Sequence, residues 1–304
     1  MGEYLNPPSM AGQPRVAIAI PSYLREQVLL ETLRQVVALD PPADEVLVID
    51  QTAEHEPETD LILRAWDQSK TIRWIKHSPA NLPGARNRAV SECSCDIIIF
   101  IDDDVNLPVD FVARHVAAHR EAHFAAITGP VYGPLLPGKP SREGTGNSVD
   151  VEPVVQQDHL YGGNFSIRKG IFVACGGFDE QYVASANYEE NDFARRLMKS
   201  GYKIGYAADA CLLHLKAPSG GCRIPGNRRN AEWTKSVCYL LFAFRHAQSA
   251  AEFGSIFWGA LRAGPLRKEN ILKPWLLPVA LLSFVYAAAQ GFKRSRKRVQ
   301  SPFA

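Results

Sequence analysis

The chain predicts an α/β fold: a mostly parallel sheet flanked by helices, with a helical extension at its C-terminal end. Three observations predict it. Apolar strand-like runs and helix-like segments alternate four times between residues 15 and 101, which is the pattern of parallel strands joined by crossover helices. One run, Ile97-Ile98-Ile99-Phe100-Ile101, is apolar without alternation, as a strand buried on both faces must be. Beyond residue 216 the character changes to long apolar stretches of helical length that end in a basic cluster.

Taken in order, residues 1–14 are rich in Pro, Gly and polar residues and read as a flexible tail. Arg15 to Ile20 is a strand stopped by Pro21. Glu26 to Leu39 places Leu29, Leu30, Leu33, Val36 and Val37 at helical spacing, and Asp40-Pro41-Pro42 ends that helix. Glu45–Asp50 is a strand, Glu58–Trp66 a helix, Thr71–Lys76 a strand, and Pro83–Val90 a helix with proline in its first turn. After the strand at 96–101, a helix is expected over 108–121, a strand over 125–131 and a long Gly/Pro/Ser-rich loop over 132–148. A helix from 188 to Ser200 and strands at 202–207 and 210–214 follow. This division gives a catalytic domain over 15–215, with halves at about 15–104 and 105–215, and an extension over 216–304.

Composition bounds the function. At 304 residues, 46% hydrophobic and with net charge +2, the chain has ample core and no global field for nucleic acid. The charge is uneven: from Arg262 to Arg298 there are nine Lys/Arg and one acid, Glu269. That excess suits an anionic surface. The six cysteines contain no CxxC pair, so free thiols in a reducing compartment are expected. No secretory signal opens the chain, which points to the cytoplasm.

In a parallel sheet, ligands bind beyond the carboxyl ends of the strands. Those ends carry Pro21-Ser22-Tyr23, Asp50-Gln51-Thr52, the loop from His77 to Arg86, and Asp102-Asp103-Asp104. Three adjacent carboxylates repel one another unless a cation joins them, and hard divalent cations take carboxylate oxygen. Gly162 and Gly163 suggest close approach of backbone to a ligand. Acids at 189, 190 and 192 open a helix, where they also favour its dipole. The loop 216–230 is Gly-rich and basic, with Lys216, Arg223, Arg228 and Arg229.

Together these motifs resemble the family 2 glycosyltransferases, inverting enzymes of the GT-A fold, over residues 14–215. The residues that carry the resemblance are Val16 to Pro21 with Tyr23 and Arg25, Val48-Ile49-Asp50-Gln51-Thr52, Asn81-x-x-Gly84-Ala85-Arg86-Asn87, and Asp102-x-Asp104. They continue with Gly162-Gly163-Asn164, Gly176-Gly177-Phe178-Asp179-Glu180, and Glu189-Glu190-x-Asp192 with Arg196. The resemblance implies a nucleotide-sugar donor site built by Pro21, Tyr23, Arg25, Asp50, Thr52, Gly84, Arg86, Asn87, Asp102 and Asp103, with Asp50 on a base of pyrimidine (UDP) type. It implies Mn²⁺ or Mg²⁺ on Asp104, Asp102 and His214, and an acceptor side at Gly163, Asn164 and Asp192.

Glycosyl transfer needs a base for the acceptor hydroxyl. Where the family usually reads Glu-Asp, this chain reads Glu189-Glu190. Glu190 takes the Asp position and is assigned the base, with Glu189 second. The chain has Arg229-Asn230-Ala231-Glu232-Trp233 in place of the Gln-x-x-Arg-Trp of processive members, so transfer of one or a few sugars is expected. The acceptor expected is a glycan or lipid-linked precursor of envelope or exopolysaccharide. A catalytically silent binding module of the same fold is the alternative. A sugar-phosphate nucleotidyltransferase is disfavoured, because no Gly-rich phosphate loop follows the first strand.

The 18-residue apolar run Trp275 to Phe292 is short for a bilayer span and is followed by Lys293-Arg294-Ser295-Arg296-Lys297-Arg298. An interfacial helix with its basic tail on anionic lipid is expected, which places the protein peripherally on the inner face of the cell membrane; a buried helix packing on the domain and a full span are the alternatives.

Overall fold

The protein is described from a computed structural model, which describes residues 5, 7, 12–120, 124–133, 142–143, 154–183, 187–221, 228–272, 275 and 277–304. Most of the predicted N-terminal tail and of the 132–148 loop, together with Arg223, lies outside these residues.

The first half alternates as the sequence predicts: β1 (Val16–Ser22), α1 (Gln27–Val37), β2 (Glu45–Asp50), α2 (Pro57–Gln68), β3 (Arg73–Lys76), α3 (Leu82–Glu92) and β4 (Ile97–Ile101). The second half runs β5 (Val105–Asn106), α4 (Phe111–Arg120), β6 (Phe124–Thr128), β7 (Val131–Tyr132), β8 (Arg142–Glu143), β9 (Val155–Gln157), β10 (Asn164–Arg168), α5 (Lys169–Ala174), α6 (Glu189–Lys199), β11 (Lys203–Tyr206) and β12 (Leu212–His214). The extension is helical: α7 (Arg228–His246), α8 (Ala250–Ala263), α9 (Lys268–Ile271) and α10 (Leu277–Ser295).

The main sheet has the order β3-β2-β1-β4-β10-β6-β11-β9. β3, β2, β1 and β4 are mutually parallel, and β10 enters antiparallel between β4 and β6. Every residue of β4 is buried. Ile98 and Phe100 pack into a core with Ala85, Ala89 and Phe193, whereas Ile97, Ile99 and Ile101 pack into a second core with Leu29, Leu33 and Phe111. The unbroken apolar run is thus explained by two cores, one on each face. Each such side chain contributes about 1.5–3 kcal/mol.

β1 runs two residues beyond its predicted end at Ile20, through Pro21 to Ser22. Pairing with β4 ends at Ala19, so the missing N–H of Pro21 breaks no ladder on that side. Strand β10 was not expected. Its Gly-Gly approach and its polar Asn164 and Ser166 hide a strand whose five residues are all buried. Phe165 stacks on Phe100 at 4.8 Å between ring centroids. The polar positions are satisfied from α4: His115 bonds Ser166 Oγ at 2.9 Å and Asn164 Oδ1 at 3.1 Å, and His119 bonds Ser166 Oγ at 2.9 Å.

The end of the chain is seated on the catalytic domain. α10 lies along α7 with Phe284, Ala287 and Gly291 inward, and the chain then returns to the catalytic domain. Glu180 N–H donates to Gln300 O at 2.8 Å, Gln300 N–H to Asp179 Oδ1 at 3.0 Å, and Gln181 Nε2 to Arg298 O at 3.0 Å. Phe303 lies edge-on to Phe172 at 5.9 Å. Lys293, Arg296, Lys297 and Arg298 remain exposed. Among the described residues no helix is long and apolar enough to cross a membrane.

Arg245 of α7 closes this junction. It pairs with the buried carboxylates of Asp179 and, at 3.3 Å, Asp192. Burial pushes Asp192 up, but His246, Arg196 and Arg245 outweigh it and hold it at about 2. Arg245→Met strands two buried charges and should cost about 3–5 kcal/mol in denaturant unfolding. Because the Asp192 pKa is depressed, its contribution is present above the usual carboxylate range. It is lost as pH falls toward about 2, so acid unfolding should begin at higher pH in the variant.

Candidate active site

The site is assembled at the carboxyl ends of β1, β2 and β4, at β12 and at the start of α6. The three acids after β4 take different directions. Asp104 is buried; its Oδ1 lies 3.0 Å from His214 Nε2, and its Oδ2 accepts Arg25 Nη2 at 3.1 Å and Ala217 N–H at 2.8 Å. Asp102 is part-exposed, with Oδ2 4.0 Å from the same His214 nitrogen. Ligand atoms of Asp102, Asp104 and His214 lie within 4.8 Å of one another. Two carboxylates and an imidazole in that space are a donor set that fits Mn²⁺ or Mg²⁺. Burial raises Asp104, but His214 and Arg25 outweigh it and hold it low. Asp102 is pushed up by burial and by the neighbouring carboxylates of Asp104 and Glu190, against the pull of Arg86 and His214.

Asp103 does not face this cluster. Successive side chains of an extended chain alternate, so Asp103 turns back into the domain. It accepts Ser22 Oγ at 2.8 Å and Arg25 Nε at 3.1 Å, and burial pushes its pKa up to about 7 against Arg25. Arg25 is equally committed: it bridges Asp103, Asp104 and the carbonyl of Ser219, where Gly220 (φ +82°) packs on it. It fastens the 216–221 segment over Asp104 and points no free edge at a donor.

Asp50 is fully buried, and protein donors take its oxygens. Thr52 N–H bonds Oδ1 at 2.8 Å; His55 Nε2 (2.9 Å), Trp74 Nε1 (2.9 Å) and Lys76 Nζ (2.7 Å) converge on Oδ2. Burial raises its pKa, but His55 and Lys76 override that and hold it well below the carboxylate range. His55 also meets Glu26 at 3.1 Å; burial lowers its pKa, and the two carboxylates raise it above the ordinary value. Asp50 therefore organises the wall around Lys76, Trp74 and Thr52. These partners were missed in the sequence, although Lys76 ends the strand beside Asp50 and topology could have flagged it. Thr52 Oγ1 accepts Leu24 N–H at 2.8 Å, and Tyr23 stays at the rim, half-buried.

Three more expected ligand residues have their side-chain atoms engaged by protein partners. Asn87 is fully buried and bonds Phe178 O, Phe178 N and Glu180 Oε1, each at 2.9 Å. Asn164 donates to Ala210 O and Pro130 O at 2.8 and 3.0 Å and accepts from His115. Asp192 is enclosed by His246 (2.7 Å), Arg196 (2.8 Å) and Arg245. None of the three has a side-chain atom left for a sugar hydroxyl. Gly84 sits in the first turn of α3, capped by Asn81 Oδ1 at 3.0 Å.

The acidic pair at the start of α6 is different. Glu189 is buried, with Oε1 2.9 Å from Arg86 Nη1 and Oε2 without a hydrogen-bond partner among the described residues. Burial and the adjacent Glu190 carboxylate raise its pKa well above the usual range, against the pull of Arg86. Glu190 is part-exposed, and its Oε2 has no hydrogen-bond partner among the described residues. Arg86, expected on the donor, instead holds Glu189 and Gly162 O (2.8 Å). The pair is launched by Tyr188 in the left-handed region (φ +73°), a strained conformation for a non-glycine residue. Its ring is held by Tyr239 and Phe242 of α7, at 4.6 and 4.7 Å.

Gly162 and Gly163 lie between the two clusters. A Cβ on Gly163 would come within 2.5 Å of Asp102 Oδ2; one on Gly162 would stand 2.9 Å from Arg86 Nη2 and 3.0 Å from Glu190 Oε1. The close approach read from these glycines is to the site's own carboxylates. Gly163→Ala should push Asp102 aside and weaken Mn²⁺ binding about tenfold or more in a metal titration.

Residues 17–178 match the model of the glycosyl transferase family 2. The succinoglycan biosynthesis protein ExoM of Rhizobium meliloti (strain 1021) is 24% identical over 226 residues, 72% of this chain and 70% of that protein. The beta-monoglucosyldiacylglycerol synthase of Synechocystis sp. is 25% identical over 66% of this chain but only 44% of its own length. Among solved structures, the mannosyltransferase PcManGT of Pyrobaculum calidifontis, in complex with GDP-Man and Mn²⁺, superposes with TM-score 0.56 at 16% identity, covering 95% of this chain and 79% of that one. Residues 1–349 of S. aureus TarS with UDP-GlcNAc give TM-score 0.59 at 16% identity, covering 93% and 89%. With more than half its length matched by the family model and a GT-A sheet beneath it, this chain belongs to glycosyl transferase family 2 and is a glycosyltransferase.

Proposed function

We propose that the protein is a metal-dependent, inverting, non-processive transferase. It moves a sugar from a nucleoside-diphosphate donor of pyrimidine type to a hydroxyl of a glycan or lipid-linked acceptor in envelope or exopolysaccharide synthesis. The observation that carries this reading is the Gly162–Gly163 step, which sets Asp102 of the metal cluster and Glu190 of the acidic pair against consecutive residues. A Mn²⁺ or Mg²⁺ ion held by Asp104, Asp102 and His214 would supply positive charge for the leaving diphosphate. Glu190, part-exposed at the start of α6, takes the acceptor proton. Glu189, buried and gripped by Arg86, fixes the start of α6 beside it. Tyr23 and the Asp50–Lys76–Trp74 wall border the base; the 15–104 half serves the donor and the 105–215 half the acceptor.

The test is thermal stabilisation by nucleoside diphosphates with Mn²⁺, since a ligand at a hundredfold its Kd adds about 2.7 kcal/mol. UDP is expected to raise the melting temperature more than GDP or ADP. Stabilisation by GDP alone would refute the pyrimidine assignment, and none by any nucleotide would refute the donor site.

We further propose that the extension seats the enzyme on anionic lipid at the inner face of the cell membrane. Leu272, Trp275, Val279, Leu282, Val285 and Tyr286 are exposed, and Lys293, Arg296, Lys297 and Arg298 beyond them supply complementary charge. Leu282→Glu with Val285→Glu should abolish co-sedimentation with phosphatidylglycerol vesicles; undiminished binding would contradict the assignment.

A further inference from the structure

A second cluster of ligand-bearing side chains lies at the other end of the sheet, outside the transfer chemistry. Glu45 opens β2, Cys93 caps the end of α3, and Cys95 stands two residues before β4. These are amino ends of parallel strands, so the cluster and the transfer site occupy opposite edges. The two sulfurs and a Glu45 carboxylate oxygen lie within 4.8 Å of one another. Both cysteines are buried and unoxidised, and Glu45 is nearly so.

The local backbone explains the convergence. Cys93 leaves the helix in an extended conformation (φ −71°, ψ 139°), and in an extended segment residues i and i+2 face the same side. Cys95 N–H donates to Cys93 Sγ at 3.2 Å, a contact that favours a thiolate over a thiol. Ser94 N–H and hydroxyl hold the Glu45 carboxylate in place. Three cations surround the group: Arg73 and Arg15 lie 3.4 and 3.6 Å from Glu45, and the Lys169 ammonium bonds the Cys93 carbonyl.

We propose that Glu45, Cys93 and Cys95 bind a zinc-class divalent cation as a structural site, separate from the catalytic ion. Two thiolates and one carboxylate suit that class, which takes S and O ligands in fours, and the exposed edge at Ser94 and Asp96 leaves the fourth position to water. Binding releases two thiol protons to solvent. The bound group then carries one surplus negative charge, which Arg15, Arg73 and Lys169 surround. The ion ties the starts of β2 and β4 to the end of α3. Counting cysteine pairs along the sequence missed it, because the third ligand comes from residue 45.

The experiment titrates the full-length chain with Co²⁺ and reads the near-ultraviolet thiolate-to-metal absorption, which oxygen and imidazole ligands do not give. One thiolate-bound ion per chain is expected. The band should persist in His214→Ala, vanish in the Cys93→Ser/Cys95→Ser double variant, and need about tenfold or more Co²⁺ to saturate in Glu45→Gln. No band in the wild-type chain would overturn the site. So would a band that survives loss of both cysteines, since the remaining Cys175, Cys211, Cys222 and Cys238 would then be its source. The wild-type and Glu45→Gln titrations decide the matter even if the double variant does not fold.

Discussion

Glu190→Gln should bind donor nucleotide as the wild type does and turn over about 10²–10⁴-fold more slowly. The reason is local. Glutamine keeps the length and the shape beside Gly162 but cannot take a proton. Glu189 cannot substitute for it, because it is buried and its Oε1 is held by Arg86. Glu189→Gln, by contrast, removes the charge opposite Arg86 but not the base. Its defect should be milder in kcat and should appear partly as lost stability, since the buried Arg86 then faces a neutral acceptor. Single-turnover kinetics with donor affinity measured in parallel separate the two. Equal kcat losses in both variants would mean that the pair acts as a unit and that Glu190 is not the base.

Asp104→Asn should lose nucleotide affinity in the presence of Mn²⁺ by about a hundredfold or more, roughly 3 kcal/mol. Its affinity in chelator should scarcely change. Asp104 is the hub of the metal cluster: His214, Arg25 and Ala217 N–H all meet its carboxylate. Asparagine preserves one accepting oxygen, so the 216–221 segment keeps an anchor while the ion loses a charge. Asp103→Asn, one residue away, should leave metal dependence intact, because Asp103 faces Ser22 and Arg25. Calorimetric titration of the nucleotide with and without chelator distinguishes these outcomes.

The two variants also show which parts of the site were legible in the sequence. Asp102, Asp104 and His214 could be read because the acids end a run that only a buried strand explains, and His214 ends another strand. The Glu189–Glu190 pair could be read as an acidic helix start. Which residues turn inward could not. Asp50, Asn87, Asn164 and Asp192 occupy motif positions, yet their polar atoms are filled by His55, Phe178, Ala210 and His246. Most of those partners lie dozens of residues away, where no local period points to them. β10 was missed for a related reason. Its polar residues are compensated by His115 and His119, so the segment lacks the apolar signature that made β4 obvious. The hydrogen bonds that join Gln300 and Arg298 to the Asp179–Gln181 loop use backbone groups of Gln300 and Arg298, which composition cannot reveal.

The central claim is that a single carboxylate deprotonates the acceptor for direct attack on the donor sugar. The most direct test is the anomeric configuration of the new linkage, read by proton NMR on product from the wild-type enzyme and an α-linked nucleotide-sugar. Direct displacement assisted by one base predicts a β-linked product. An α-linked product would require a covalent or front-face route and would contradict the account.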